Sequence, residues 1–272
     1  MSGPVIGLVL ILVVVALFMF LTHSWGNTLF GASDRNRCKA SVEANAARFY
    51  EGFDFVVSEI KCPPSDIRIS SSDSNVVFSQ IANATYHCWD NFGEGKKSLF
   101  ILGRGQEEQF CVICSYIKFV GEAVGRQQTR YGYYLMTTPL PVPGDRRSYS
   151  EYFSYQKPTP QDIEEARSAN DFIDTDKEYV VLFAYGKRKG FWDKPIVGGA
   201  AAIGGGIIAG VASFFTFGTS GILYVIAMGI VAGGATGFAE GPDLYINWTS
   251  GVVLAELNSP ELINQGCTRF GQ

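Results

Sequence analysis

The sequence predicts an α+β domain tied to a membrane by one N-terminal transmembrane helix and a C-terminal glycine-rich transmembrane helical hairpin. Three observations carry that expectation. Charged residues make up 18% of the 272 residues, against ~25% in ordinary soluble domains. The deficit is concentrated in two stretches without charge, one near each end of the chain. Between them, segments of helical period alternate with short β-branched runs. The expected organisation is an anchor over 1–24, a cysteine-containing α+β domain over 25–194, the hairpin over 195–239, and a tail over 240–272 that packs on the α+β domain. The length suits one domain plus membrane segments. A net charge of −4 lacks the basic excess of nucleic-acid binders, so no nucleic-acid partner is expected.

The first chargeless stretch runs from Met1 to His23, with an unbroken apolar core from Val5 to Leu21. At ~1.5 Å per residue such a run spans most of a ~30 Å hydrocarbon layer. A cleaved signal peptide is the competing reading. The start Met1-Ser2-Gly3-Pro4 has no Lys or Arg, and no small-x-small cleavage site follows, which favours an uncleaved anchor. Trp25 falls where an interfacial aromatic would sit.

The second stretch, Pro195 to Ala239, is also free of charge and about twice the ~20 residues of one spanning helix. Thr216-Phe217-Gly218-Thr219-Ser220 breaks it, predicting helices over about Pro195–Phe215 and Gly221–Ala239. Small residues recur every fourth position at Gly198, Ala202, Gly206 and Gly210, and again at Gly229, Gly233 and Gly237. Such rows let helix backbones approach closely. The simpler expectation is packing of the two helices on each other; the stronger one is self-association of whole copies. Gly204-x-Gly206-x-x-Ala209 matches a dinucleotide fingerprint by letter only, since no strand precedes it and no suitably placed acid follows.

Within the central region, Ser33 or Asp34 can cap a helix through Val42, Ala46 and Phe49. Phe53–Lys61 reads as a strand or helix end, and Ser65–Ser74 as a polar loop. Ser72 or Asp73 can cap a second helix carrying Val76, Val77, Gln80, Ile81, Ala84, Cys88, Trp89 and Phe92 at i, i+3, i+4 spacing, stopped by Gly93-Glu94-Gly95. Ser98–Leu102 and Gln109–Val120 read as strands joined by a polar turn. A loop holding Pro139, Pro141 and Pro143 follows, then a short polar helix over Thr159–Ala169. Glu178–Tyr185 is the strongest strand signal, and Gly251–Leu257 predicts another from the tail.

Six cysteines, Cys38, Cys62, Cys88, Cys111, Cys114 and Cys267, lie outside the apolar stretches. A hairpin crosses twice, so all six share one side, and an even count suits disulfides in an oxidising compartment. If all six pair, Cys267 must bond a cysteine before the hairpin. Cys111-Val112-Ile113-Cys114 is the CxxC motif of the chain. In a strand, residues three apart point to opposite faces ~10 Å apart, beyond the ~7 Å reach of a disulfide, so the two are expected to bond different partners. A thiol redox site would need a bulge or turn there. A zinc site would need ligands from Cys38, Cys62, Cys88 or His87. Asn83-Ala84-Thr85 and Asn247-Trp248-Thr249 are glycosylation sequons. Lys187, Arg188, Lys189 and Lys194, with Arg35, Arg37 and Lys39, oppose an outer location by the positive-inside rule. The cysteines outweigh them, and the domain is expected on the outer face of the cell membrane.

Cys38, Cys62-Pro63, Cys88-Trp89, Phe92-Gly93-Glu94-Gly95-Lys96, Phe110-Cys111 and Cys114-Ser115 resemble stretches of membrane-anchored proteins of nanosized (DPANN-type) archaea. Tyr134-Leu135-Met136-Thr137-Thr138-Pro139 belongs to the same resemblance, which covers about Cys38 to Phe153. It implies an anchored cysteine-bearing domain; no activity is known for that group, so it implies no reaction.

Motifs for chemistry are sparse. The two histidines, His23 and His87, form no Ser-His-Asp or Cys-His pattern, and neither a P-loop nor a metalloprotease motif is present. Glu107-Glu108 and Glu164-Glu165 read as solvated faces. Glu94, between two glycines, either lines a site or pairs with Lys96. Tyr131, Tyr133, Tyr134, Tyr149, Tyr152, Phe153 and Tyr155, with Arg146 and Arg147, form either a core or a recognition surface, since Tyr and Arg are favoured at hot spots. The expected role is therefore a non-enzymatic envelope protein that presents a disulfide-stabilised domain for interaction or assembly. It needs no cofactor and no catalytic residue; its partners are the membrane, other copies through the glycine rows, and a protein. The alternatives are an accessory subunit of a transport or secretion assembly acting through the hairpin, and a redox or zinc domain using Cys111 and Cys114.

Overall fold

The computed structural model describes residues 34–44, 46, 60–95, 109–155, 157–169, 171–187, 223–231, 248–258 and 269–270. Residues 34–44 form helix α1. Strand β1 (Ser65–Ile69) and helix α2 (Ser74–Asn91) follow, then strands β2 (Gln109–Phe119) and β3 (Gln127–Thr129). Helices α3 (Tyr131–Thr137), α4 (Tyr149–Ser154) and α5 (Pro160–Ser168) precede the short strand β4 (Phe172–Asp174), which pairs with β3. The chain ends in strands β5 (Tyr179–Lys187), β6 (Leu223–Val231), β7 (Trp248–Glu256) and β8 (Arg269–Phe270). Among the described residues six strands make one sheet in the order β1-β2-β5-β7-β6, with β8 also paired to β2. β5 pairs along its other edge with β7, so the tail completes the sheet of the central region. β1 and β8 both run parallel to β2, sharing its remaining edge. The α+β class is thus observed directly.

The elements follow from local chemistry. Asp73 caps α2, its carboxylate accepting from the Asn75 N–H at 2.8 Å, which satisfies one of the donors a helix start leaves open. The buried side of α2 is Val77, Phe78, Ile81, Ala82, Ala84, Thr85, Cys88 and Trp89. This face lies on the sheet, where Phe92 stacks on Phe183 with ring centroids 4.2 Å apart. Val76, expected inside, is 38% exposed. α5 begins with a capping box between Thr159 and Asp162 and carries proline in its first turn, as the Thr-Pro-Gln-Asp order leads one to expect. β5 is buried on both faces. Tyr179, Val181 and Phe183 join the core under α2, while Val180, Leu182 and Ala184 face away and are also covered. A strand buried on both sides reads as a continuous apolar run.

Several expectations are corrected. Residues 65–69 are an edge strand rather than loop. Only Ile67 and Ile69 alternate inward there, and the parallel partner β2 supplies the order that the short run lacks. Over Gly221–Ala239 the expected element is a helix, but Leu223–Val231 is strand β6, antiparallel to β7. A short apolar run cannot be assigned by period alone, and Leu-Tyr-Val-Ile-Ala-Met-Gly-Ile-Val is rich in β-formers. Gly229 therefore sits opposite Ser250 in a sheet and is not part of a helix-packing row. The second helix of the expected hairpin is therefore replaced by a strand over Leu223–Val231, while residues 195–222 lie outside the described residues. Gly198, Ala202, Gly206, Gly210, Gly233 and Gly237 lie outside the described residues, as do the 1–24 anchor, Ser98–Leu102 and Glu107-Glu108. Among the described residues no helix is long and apolar enough to cross a membrane.

α3 and α4 have no counterpart in the apolar pattern of the sequence. The buried Asp171 holds the start of α3, its Oδ2 accepting from the Gly132 N–H at 2.6 Å while its carbonyl accepts from Arg130. Burial pushes this carboxyl upward in pKa against the pull of those N–H groups.

Candidate functional site

Disulfides tie the layers together. Cys38 in α1 bonds Cys62, and Cys88 in α2 bonds Cys114 in β2, with Cα atoms 4.4 and 5.6 Å apart respectively. Cys111 is also disulfide-bonded, while Cys114 is taken by Cys88. The CxxC motif therefore does not close on itself. A bulge does occur there, because Ile113 faces Leu182 while Ser115 faces Val181, leaving Cys114 as the extra residue. Val112, paired with Phe183, faces α2. By alternation Cys114 shares that face and meets Cys88, while Cys111 turns to the other. With Cys38, Cys62, Cys88 and Cys114 all oxidised, none offers the thiolate that zinc or a nucleophile requires.

The polar features converge at the end of α2. Gly93, Glu94 and Gly95 have φ of 65°, 56° and 65°, three successive left-handed residues. A side chain rarely accepts that conformation, and strain of this kind concentrates at functional positions. The turn projects the Glu94 carboxylate to the phenols of Tyr152, at 3.3 Å, and Tyr155, at 3.1 Å. The Tyr155 hydroxyl also donates to the Glu94 carbonyl. Both tyrosines come from α4 and its C-terminal residue, 58 and 61 positions along the chain. Burial, then the Glu94 carboxylate, pushes both phenols well above their ordinary pKa.

Arg147 lies over the Tyr152 ring, 5.1 Å from its centroid, a favourable cation–π placement. The guanidinium is forked onto Asp145, whose carboxyl these hydrogen bonds hold down at about 2. The proline-rich loop makes this possible, because Pro139 bridges to Ser148 and so folds Asp145 and Arg147 back toward α4. Tyr86 packs its ring 5.0 Å from Tyr152, and the neighbouring Asp90 pairs with Lys39 of α1 at 3.0 Å. Tyr86, Asp90 and Glu94 recur at four-residue spacing. Within α2 that spacing puts Tyr86 and Asp90 on one face, a sign that sequence reasoning missed along with Asp145; the left-handed turn, not helix periodicity, brings Glu94 beside them.

Of the expected aromatic surface, most is core. Tyr131, Tyr149 and Phe153 are buried, Tyr131 against Phe78 and Tyr149 bonded through its hydroxyl to Asn83. Tyr133 carries Arg167 above its ring, and Tyr134 contacts Phe78. Tyr155, 43% exposed, presents the cluster to solvent. Arg146 is exposed, and Glu164 pairs with Arg167 on a solvated face of α5. The Asn83 sequon is built into α2, with Thr85 fully buried and Asn83 held by Tyr149. A glycan on Asn83 would displace that hydrogen bond. Asn247 and Cys267 lie outside the described residues.

Chemically, the cluster is a rigid carboxylate, phenol and guanidinium surface. Its phenols are held protonated and make poor proton donors to a substrate at neutral pH. Among the described residues no group of three or more His, Cys, Asp or Glu is arranged to hold a metal. No family model, no curated protein and no solved structure matches the chain. The geometry therefore carries the functional reading by itself.

His87 sits beside this region with Arg35 against both ring nitrogens, at 3.0 and 3.3 Å. Burial, then the Arg35 charge, lowers its pKa from 6.5 to about 4. Between those values the unfolded chain binds a proton that the folded chain refuses. Stability is therefore complete above the unfolded value and is lost as pH falls toward 4. Partial exposure screens the effect to about 1–2 kcal/mol. Urea midpoints at pH 7 and pH 4.5 should fall further in the native protein than in His87→Gln. Equal declines would remove His87 from the acid response.

Proposed function

We propose that this chain is a non-enzymatic membrane-anchored protein of the cell envelope. Its N-terminal apolar run, Val5 to Leu21, holds the α+β domain at the outer face, where the Glu94, Arg147 and Tyr155 surface engages a protein partner. The observation that supports this reading is the oxidation of every described cysteine. Disulfides persist outside the reducing cytosol, although hyperthermophiles also keep them inside. β5 and β7 share a sheet, so the residues that form these two strands lie together on one side of a membrane. The surface suits a partner because Tyr and Arg bring large contact area with little side-chain disorder.

Intact cells treated with a membrane-impermeant maleimide separate the two locations. Labelling is expected only after an impermeant phosphine reductant is added. Labelling that requires cell lysis would place the domain in the cytoplasm and overturn the proposal.

A further inference from the structure

We propose that Cys111 and Cys267 form a third disulfide, which staples the C-terminal tail to the central strand β2. Three observations converge on it. Cys111 is disulfide-bonded. Cys38, Cys62, Cys88 and Cys114 are taken up by one another, and the chain has 6 cysteines, so Cys267 is the one remaining. Backbone pairing brings the tail to the same place, because β8 lies parallel to β2 with Arg269 opposite Phe110 and Phe270 opposite Cys111. The pairing stands on this count and topology and does not depend on which side of the membrane the domain occupies.

The bond forms by thiol–disulfide exchange with a disulfide-carrying oxidoreductase. Each cysteine gives up one thiol proton. One S–S bond forms between Cys111 and Cys267, and the S–S bond of the oxidant breaks to give two thiols, which take up the two electrons and two protons. The product has a distinct consequence. The other two disulfides close within residues 38–114, whereas this one spans the whole excursion between β5 and β7. It alone would keep the chain in one covalent piece after a cut between those strands.

That consequence supplies the test. A site-specific protease sequence is inserted after Lys189 in the full chain, the protein is cut, and free thiols are blocked before denaturing electrophoresis. The two fragments should run together without reductant and separate with dithiothreitol. In Cys267→Ser they should separate under both conditions, and Cys111 should become alkylatable after denaturation, since it is completely buried in the fold. Peptide mapping of the uncut, unreduced protein should find the Cys111–Cys114 peptide joined to both the Cys88 and Cys267 peptides. Fragments that part without reductant would overturn the proposal. So would a Cys267-dependent dimer, or Cys267 recovered as a free thiol.

Discussion

Gly95→Ala is expected to destabilise the domain by about 2–5 kcal/mol, combining left-handed backbone strain with overpacking. The two causes are separable. Gly95 has φ +65°, where a Cβ is unfavourable in any surroundings. A Cβ there would also run into the Ser250 hydroxyl and the Trp89 ring. Neither neighbour can yield easily. Trp89 is fully buried in the core, and Ser250, also buried, donates its hydroxyl proton to the Gly95 carbonyl and so ties the turn to β7. Gly121 is the natural control. Its φ is +61°, yet a Cβ would meet nothing within 4 Å, so Gly121→Ala should cost only about 1 kcal/mol. Urea unfolding of the two variants gives the comparison. Similar midpoints for both would mean that the squeeze between Trp89 and Ser250 does not exist. With typical domains stable by only about 5–15 kcal/mol, the larger effect would leave Gly95→Ala close to unfolded.

Elements whose signals are complete within their own residues are legible in the sequence. α2 combines an Asp73 cap, helical spacing and a glycine stop. α5 combines a capping box with an early proline, and β5 is an uninterrupted apolar run. Elements that depend on distant partners are not legible. α3 follows Arg130, which has φ 72°, and draws its capping carboxylate from Asp171, 39 residues from Gly132. β1 is ordered by β2 rather than by its own polar sequence. The run at 223–231 satisfies either a helix or a strand locally, and the open edge of β7 decides between them. The candidate site shows the same division. Glu94 stands out through its flanking glycines, and the Tyr and Arg group through composition. Their meeting depends on α4 folding back over α2, a contact that no local pattern encodes. Disulfide choice behaves likewise, since an even cysteine count implies pairing but not partners.

Removing the Cys88–Cys114 bond with paired alanines is expected to cost about 3.5 kcal/mol, the loop-closure entropy for a 26-residue separation. The same arithmetic assigns nearly the same value to Cys38–Cys62, with a separation of 24, so the unfolded chain does not distinguish the two. The folded state does. α2 and β2 remain packed through Trp89, Phe92 and the sheet when their bond is lost, so unfolding should stay cooperative at a lower midpoint. Among the described residues α1 is held to the rest by the buried Cys38 and Val42 and by Lys39–Asp90 and Arg35–His87, its polar ties to α2. Cutting Cys38–Cys62 should therefore release α1 locally. Its amides would then exchange fast at a free energy well below that of global unfolding. Hydrogen exchange across both variants, read beside their urea midpoints, tests this. Rapid exchange confined to α1 in Cys38→Ala/Cys62→Ala, with α2 still protected, is the expected result. A midpoint for Cys88→Ala/Cys114→Ala within about 1 kcal/mol of the parent, far short of the loop-closure value, would mean that the unfolded chain already keeps α2 beside β2.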